Sequence, residues 1–185
     1  MEKNSDSWIR TYTGGRAYFF EPENSLIEIE DIAHALSLLC RFNGATEKFF
    51  SVAQHSCIVA DKVYEETGDP YLGFSALMHD AQEAFVSDIP SPFKRRFPEF
   101  VEAEKRFEHW LAERFDYALD LPIIKKHDLK CLATEMRDLM RVSDHKAIIH
   151  PPYAEKIIPI SPEVAKRNFL GDFAFFLEEK SGVVL

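Results

Sequence analysis

Residues 77–92, Leu-Met-His-Asp-Ala-Gln-Glu-Ala-Phe-Val-Ser-Asp-Ile-Pro-Ser-Pro, place an imidazole and a carboxylate side by side at His79 and Asp80. They stand directly behind the apolar Ala76, Leu77 and Met78. If the segment is helical, Glu83, four residues after His79, falls on the same face. Three titratable groups on a half-buried face need a compensating partner, and a divalent metal is the simplest one. A His-Asp pair by itself describes a solvated helix end equally well, so partners elsewhere in the chain have to decide.

Seven histidines are available. His109 and His145 fall among charges on faces that read as solvated, His150 precedes two prolines in a loop, and His34 suits capping or packing. His55 differs, because it interrupts a stripe of Val52, Ile58, Val59 and Val63 at three- and four-residue steps and must be satisfied by something buried. A further carboxylate should come from a later helix, where Asp128 and Asp138 compete. At 100° per residue Asp128 shares a face with Leu132 and Glu135, whereas Asp138 is rotated about 80° away. An acid aligned with a buried stripe needs a reason, which favours Asp128. The second His-Asp dipeptide, His127-Asp128, has no acid at the Glu83 spacing, and His127 reads as exposed.

Helices have to carry these groups. The periodicity predicts one over about Glu30 to Cys40, with Gly44 as a stop, and a second capped by Ser51. Thr67-Gly68-Asp69-Pro70 is a tight turn into a third, Tyr71 to about Val86, antiparallel to the second. Ile89-Pro90-Ser91-Pro92 reads as a rigid exit. Further helices are predicted from near Phe100 to Phe115, from Ile124 to Met140, and from Ser161-Pro162 to about Lys180. Residues 1–29 form an irregular arm, with an extended pair at Thr11–Thr13 and Ala17–Phe20 about Gly14-Gly15. Residues 141–162 carry four prolines and no clear period. The fold class is all-α: one domain over residues 1–185, core about 30–140, with six or seven helices and an irregular N-terminal arm.

Composition narrows the function classes. At 46% hydrophobic and 29% charged residues the chain is an ordinary globular one. A net charge of −9, with no basic run longer than Lys94-Arg95-Arg96, argues against nucleic acid as a partner. The three cysteines form no CxxC pair and sit in apolar-periodic segments, so reduced thiols and a cytoplasmic setting are expected. The polar N-terminus carries no apolar signal-like run, and no apolar stretch is long enough to span a membrane, so no membrane partner is expected.

Three stretches in this order resemble the HD-domain metal-dependent phosphohydrolase superfamily, and most the branch of the YfbR-type 5′-deoxynucleotidases. They are Ser51-Val52-Ala53-Gln54-His55-Ser56, then Met78-His79-Asp80-Ala81-Gln82-Glu83 through Asp88-Ile89-Pro90-Ser91-Pro92-Phe93-Lys94, and then Ile124-Lys125-Lys126-His127-Asp128 with Leu132 and Glu135. The dipeptide alone is weak; the ordered HDxxE and DxPxPxK run is highly specific. The resemblance implies a single HD-type helical bundle and one divalent ion (Co, Mn, Mg, Fe, Ni or Zn) held by His55, His79, Asp80 and Asp128. It further implies Glu83 and Asp88 as the acid/base pair at the reacting phosphate, and Arg41 and Lys94 as phosphate-binding residues. A shorter His55-to-His79 interval departs from the family and implies a trimmed helix–turn–helix.

The function so implied is removal of phosphate from (deoxy)nucleoside 5′-phosphates, with two alternatives open: monophosphates only, or mono-, di- and triphosphates stepwise. A triphosphohydrolase releasing tripolyphosphate, a (p)ppGpp or cyclic-dinucleotide hydrolase, and an inactive nucleotide-sensing module are the alternatives. The small-molecule nucleotide is the expected partner, and a homodimer stays open.

Overall fold

Ser51 and Gly68 bracket the helix against which four of the others pack. The computed structural model describes residues 8–141 and 150–182. Helix α2 (Val52–Thr67) begins where the Ser51 hydroxyl accepts from the Gln54 backbone N–H at 3.1 Å, and ends on Gly68 at φ +65°. Its neighbours are α1 (Ile29–Leu38), α3 (Pro70–Leu77), α7 (Pro122–Leu139) and α8 (Pro162–Ser181). Helix α6 (Pro98–Phe115) and two single turns, α4 (Glu83–Val86) and α5 (Ser91–Lys94), complete the α-helical set among the described residues, beside short 3-10 turns at Pro22–Asn24 and Arg41–Gly44. Six long helices and two single turns make this an all-α bundle. Four of the long helices open on proline, which needs no backbone N–H partner in the first turn.

The α2–α3 turn comes as its sequence requires. Gly68 takes the left-handed conformation, and the Asp69 carboxylate accepts from the N–H groups of Tyr71 and Leu72. Phe50, Phe74, Phe107, Phe169 and Phe176 are fully buried and tie α2, α3, α6 and α8 into one core. Truncating any one of them to Ala should cost about 3–5 kcal/mol. Glycine is required at position 73, because a Cβ there would lie 2.5 Å from the Phe176 ring, so α3 and α8 touch backbone to ring.

The arm is pinned to α1 rather than free. Its antiparallel pair is Ile9–Arg10 with Arg16–Ala17. The expected pair was Thr11–Thr13 with Ala17–Phe20; the turn instead takes up Thr11 to Gly15, closed by Thr11 N–H to Gly15 O at 3.2 Å. Buried Asp31 accepts from the Thr13 N–H at 2.7 Å and from its hydroxyl at 3.1 Å.

Two expected helices are shortened. Helix α1 stops at Leu38 rather than Cys40, because Leu39, Cys40 and Arg41 pair with Phe50, Ser51 and Val52. In that pairing Arg41 N–H donates to Phe50 O at 2.9 Å and Val52 N–H to Leu39 O at 3.0 Å. Gly44, at φ +78°, ends the following short turn instead. The predicted helix from Tyr71 to Val86 breaks at Leu77. The Ala76 carbonyl, which a continuing helix would give to the Asp80 N–H, is taken by the His79 side chain at 2.7 Å. The next bonds reach only three residues back, from Ala81 to Met78, Glu83 to Asp80 and Ala84 to Ala81. Residues 150–161 are without helix, as the prolines predict. His145 lies outside the described residues. None of the helices is long and apolar enough to cross a membrane among the described residues.

Candidate active site

Arg41 and His55 meet because of that short pairing. It clamps Arg41 beside Ser51, and His55 follows one turn into α2, its N–H bonded to Ser51 O at 3.2 Å. His55 is fully buried. Its Nδ1 lies 2.6 Å from Oε1 of Glu135 on α7. A carboxylate only accepts, so Nδ1 carries a proton and Nε2 is the nitrogen left to face the other carboxylates. His79 is oriented the same way by the Ala76 carbonyl, which also only accepts.

The two imidazoles therefore aim their Nε2 atoms into one space. Both atoms are buried, and neither has a hydrogen-bond partner among the described residues. Asp80 Oδ2 is 3.3 Å from His79 Nε2 and 3.7 Å from His55 Nε2, and Asp128 Oδ1 is 3.5 Å from His55 Nε2. Ligand atoms of His55, His79 and Asp80 all lie within 4.8 Å of one another. Two unpartnered imidazole nitrogens among carboxylate oxygens fit a divalent ion of the Mn-to-Zn series, with carboxylates admitting Mg as well.

Charge tells the same story. Burial and the Arg41 cation oppose a proton on His55, yet Glu135, Cys131 and Asp128 overcome them and raise its pKa well above the ordinary value. Burial works against the charge on Asp128 too, but His55, His79 and Lys125 hold it well below the usual carboxylate range. The surrounding carboxylates favour positive charge at this centre, which a divalent ion would supply.

A cavity of about 300 Å³ opens beside this centre, and Arg41, Asp80, Glu83, Asp88, Lys94 and Asp128 are among its walls. Glu83 is buried with Oε2 unpartnered; burial first, then Asp80 and Asp88, raise its pKa well above the ordinary value against Arg41 and Lys94. Asp88 is raised as well, by burial, with Arg41 acting against it and Asp80 adding to it. Asp88 follows Ser87, a non-glycine residue at φ +71° and ψ 158°. Such a conformation costs roughly 1–3 kcal/mol and turns the chain back towards the cavity. Phe42 (φ +54°) and Asn43 (φ +51°) are a second strained site, on the wall of the same cavity.

Seven of the eight residues singled out from the sequence, all but buried His55, line this cavity or the one described next. The first holds Arg41, Asp80, Glu83, Asp88, Lys94 and Asp128. His79 lines a second cavity, of about 290 Å³, together with Asp80 and Asp128. Lys94 reaches the first cavity with its ammonium held by Glu104 at 2.6 Å. Glu83 arrives through the broken turn, not through the helical face expected for it. Asp138 is engaged elsewhere, accepting from Arg137 and from the Ile157 N–H.

His127 corrects the sequence reading. It is 3% exposed, where solvent exposure was expected. Its Nε2–H donates to Glu66 at 3.1 Å and its Nδ1 accepts from the Tyr153 hydroxyl at 2.7 Å. Tyr153 comes from the irregular stretch after α7, so the helical pattern around His127 gave no sign of it. Glu135 and Lys125 were also undervalued. Glu135 carries the same signal that singled out Asp128, an acid on a buried stripe two turns further along. Lys125 holds Asp128 Oδ2 at 2.7 Å and lines both cavities.

Comparison with known proteins decides the family. A family model described as 5′-deoxynucleotidase YfbR-like matches residues 46–145. The chain belongs to the YfbR-like 5′-deoxynucleotidase family. It is 39% identical over 135 residues to the uncharacterized protein YfdR of Escherichia coli (strain K12), covering 72% of each chain. An uncharacterized protein of Rhodobacter capsulatus is 33% identical over 135 residues, covering 69% of this chain and 68% of the relative. Membership makes this YfbR-like chain an HD-type phosphohydrolase, a hydrolytic enzyme whose family supports nucleotide phosphoester substrates and a divalent metal.

Proposed function

We propose that the chain hydrolyses the phosphate ester of (deoxy)nucleoside 5′-monophosphates, releasing orthophosphate and the nucleoside, and that it shortens di- and triphosphates stepwise. The observation that carries the reading is the pair of buried, unpartnered Nε2 atoms facing Asp80 and Asp128 beside a cavity that also holds Glu83, Asp88 and Arg41.

In this reading His55, His79, Asp80 and Asp128 hold one divalent ion. When bound, such an ion polarises a phosphoryl oxygen and acidifies a water. Arg41 keeps Nε and Nη2 on Glu135 and faces Asp80 with Nη1 at 3.7 Å, so Nη1 is the donor that grips phosphoryl oxygens. Lys94, fixed by Glu104, adds a second positive charge at the cavity wall. Glu83 takes a proton from the attacking water, since a carboxyl raised by burial is a stronger base than an exposed one. Asp88, also raised, returns a proton to the leaving 5′-oxygen as the P–O bond breaks. The positive charges of Arg41, Lys94 and the ion let a chain of net charge −9 accept an anionic substrate. The three cysteines are free thiols, which suits the reducing cytoplasm we propose as its compartment.

The test is a panel of dNMP, dNDP and dNTP substrates offered to the Mn- or Co-loaded protein, with identification of the released phosphate. Orthophosphate from the monophosphate is expected. Intact tripolyphosphate from the triphosphate alone would replace this reading by a triphosphohydrolase, and no release from any of them would favour a nucleotide sensor.

A further inference from the structure

Glu135 touches neither cavity, is fully buried, and has both oxygens engaged by residues assigned to different tasks. Oε1 lies 2.6 Å from Nδ1 of His55. Oε2 accepts from Nη2 of Arg41 at 3.1 Å and from its Nε at 3.3 Å. Cys131 adds a weak S–H donor to Oε1 at 3.4 Å. The four side-chain atoms bonded to the Glu135 carboxylate, His55 Nδ1, Arg41 Nε and Nη2 and Cys131 Sγ, are all donors.

We infer that Glu135 is a positioning residue that couples the metal-binding arm to the phosphate-binding arm of the site. The inference rests on the phosphohydrolase reading for the roles of His55 and Arg41. Geometry supplies the coupling. Asp128 and Glu135 are two turns apart on one face of α7, and they reach the two nitrogens of the same imidazole, Asp128 at Nε2 and Glu135 at Nδ1. Helix α7 thus grips the His55 ring from both sides, so that Nδ1 keeps its proton and Nε2 is the nitrogen open to a metal. The same carboxylate takes Nε and Nη2 of Arg41, so Nη1 is the guanidinium nitrogen left towards Asp80 and the cavity. Both partners are donors at the shared group. A carboxylate can serve both; an amide has one oxygen, and its NH₂ would confront the other donor. Aspartate is one methylene short of spanning the pair.

The experiment compares wild type, Glu135→Gln, Arg41→Ala and the double variant. Mn²⁺ affinity is measured by calorimetry, and affinity for inorganic phosphate is then measured on the Mn-saturated proteins. Glu135→Gln should weaken Mn²⁺ binding about 10–100-fold, whereas Arg41→Ala should leave it near wild type. For phosphate, each single variant should lose affinity, and the double variant should be no worse than Arg41→Ala, because Glu135 reaches phosphate only through Arg41. Wild-type Mn²⁺ affinity in Glu135→Gln, or additive losses for phosphate, would overturn the inference. If Glu135→Gln does not fold, nitrogen NMR of the unaltered protein still decides. A His55 proton on Nδ1, with and without diamagnetic Zn²⁺, is expected; a proton on Nε2 in the Zn-free protein, with Nδ1 bare, would refute it. Neither readout needs turnover, so a failure to hydrolyse nucleotides would count against the proposed function and leave the role of Glu135 to be judged separately.

Discussion

The chain contains the same dipeptide twice, and the two copies end up in opposite circumstances. At His79-Asp80 both side chains turn towards one centre, with His79 Nε2 and Asp80 Oδ2 only 3.3 Å apart. At His127-Asp128 they part: Asp128 faces His55, and His127 faces Tyr153 and Glu66. The cause is the backbone. Residues 127 and 128 lie inside the regular helix α7, where neighbours are about 100° apart and cannot share a target. Residues 79 and 80 lie just past the end of α3, where the His79 ring has taken a helix carbonyl and the chain tightens into short turns. Adjacent side chains converge where a helix stops, and diverge where it continues.

The largest expected effect separates the two histidines. His79→Ala should abolish metal binding and bring phosphate release to background, while His127→Ala should leave both unchanged; metal analysis after dialysis and a phosphate assay check this. Comparable losses in both variants would erase the distinction. Next is the broken turn that delivers Glu83. Glu83→Gln should lower turnover roughly 10²–10⁴-fold while the protein keeps its metal. Near-normal turnover would remove Glu83 from proton transfer.

The buried histidine has its own signature in stability. His127→Ala removes the imidazole between Glu66 and Tyr153, leaving the Tyr153 hydroxyl only its 3.2 Å bond to the residue 127 carbonyl, and should destabilise the fold by about 1–3 kcal/mol in chemical denaturation, without touching activity. Burial holds the His127 pKa below its ordinary 6.5, against the opposing pull of Glu66. The unfolded chain therefore takes up a proton before the folded one does. The stability due to neutral His127 is complete above about pH 6.5 and is lost as pH falls from there through the folded value. The wild-type melting temperature should drop over that interval more steeply than that of His127→Leu; parallel curves would mean that His127 is solvated after all. Smallest is exposed His109, whose replacement by Ala should change stability by less than about 0.5 kcal/mol and activity not at all.

The comparison also explains what could be read from the sequence. Helix placement was legible because each signal is local: Ser51 and Ser161 cap α2 and α8, Gly68 and Asp69 make the turn into α3, and prolines open α3 and α8; Pro98 and Pro122 open α6 and α7 two residues before the expected starts. The grouping of His55 with Asp128 was legible too, since both interrupt buried stripes. The end of α3 was not, because it depends on a side-chain bond from His79 to Ala76 that no periodicity records. The partner of His127 was hidden for a related reason: Tyr153 lies 26 positions away in a stretch without a period. Glu135 was recognised as lying on the stripe of Asp128, but its bridge from His55 to Arg41 joins α7 to a segment 94 residues earlier. Residues that act through long-range contacts leave only a misplaced charge in the sequence.

The most direct test of the account counts imidazoles on the metal. Pulsed EPR of the Mn²⁺-loaded protein should detect two coordinated histidine nitrogens in wild type and in His127→Ala, and one in His55→Ala if that variant still retains metal. A spectrum with no coordinated nitrogen, or one altered by His127→Ala and indifferent to His55→Ala, would contradict the convergent centre on which the proposed chemistry depends.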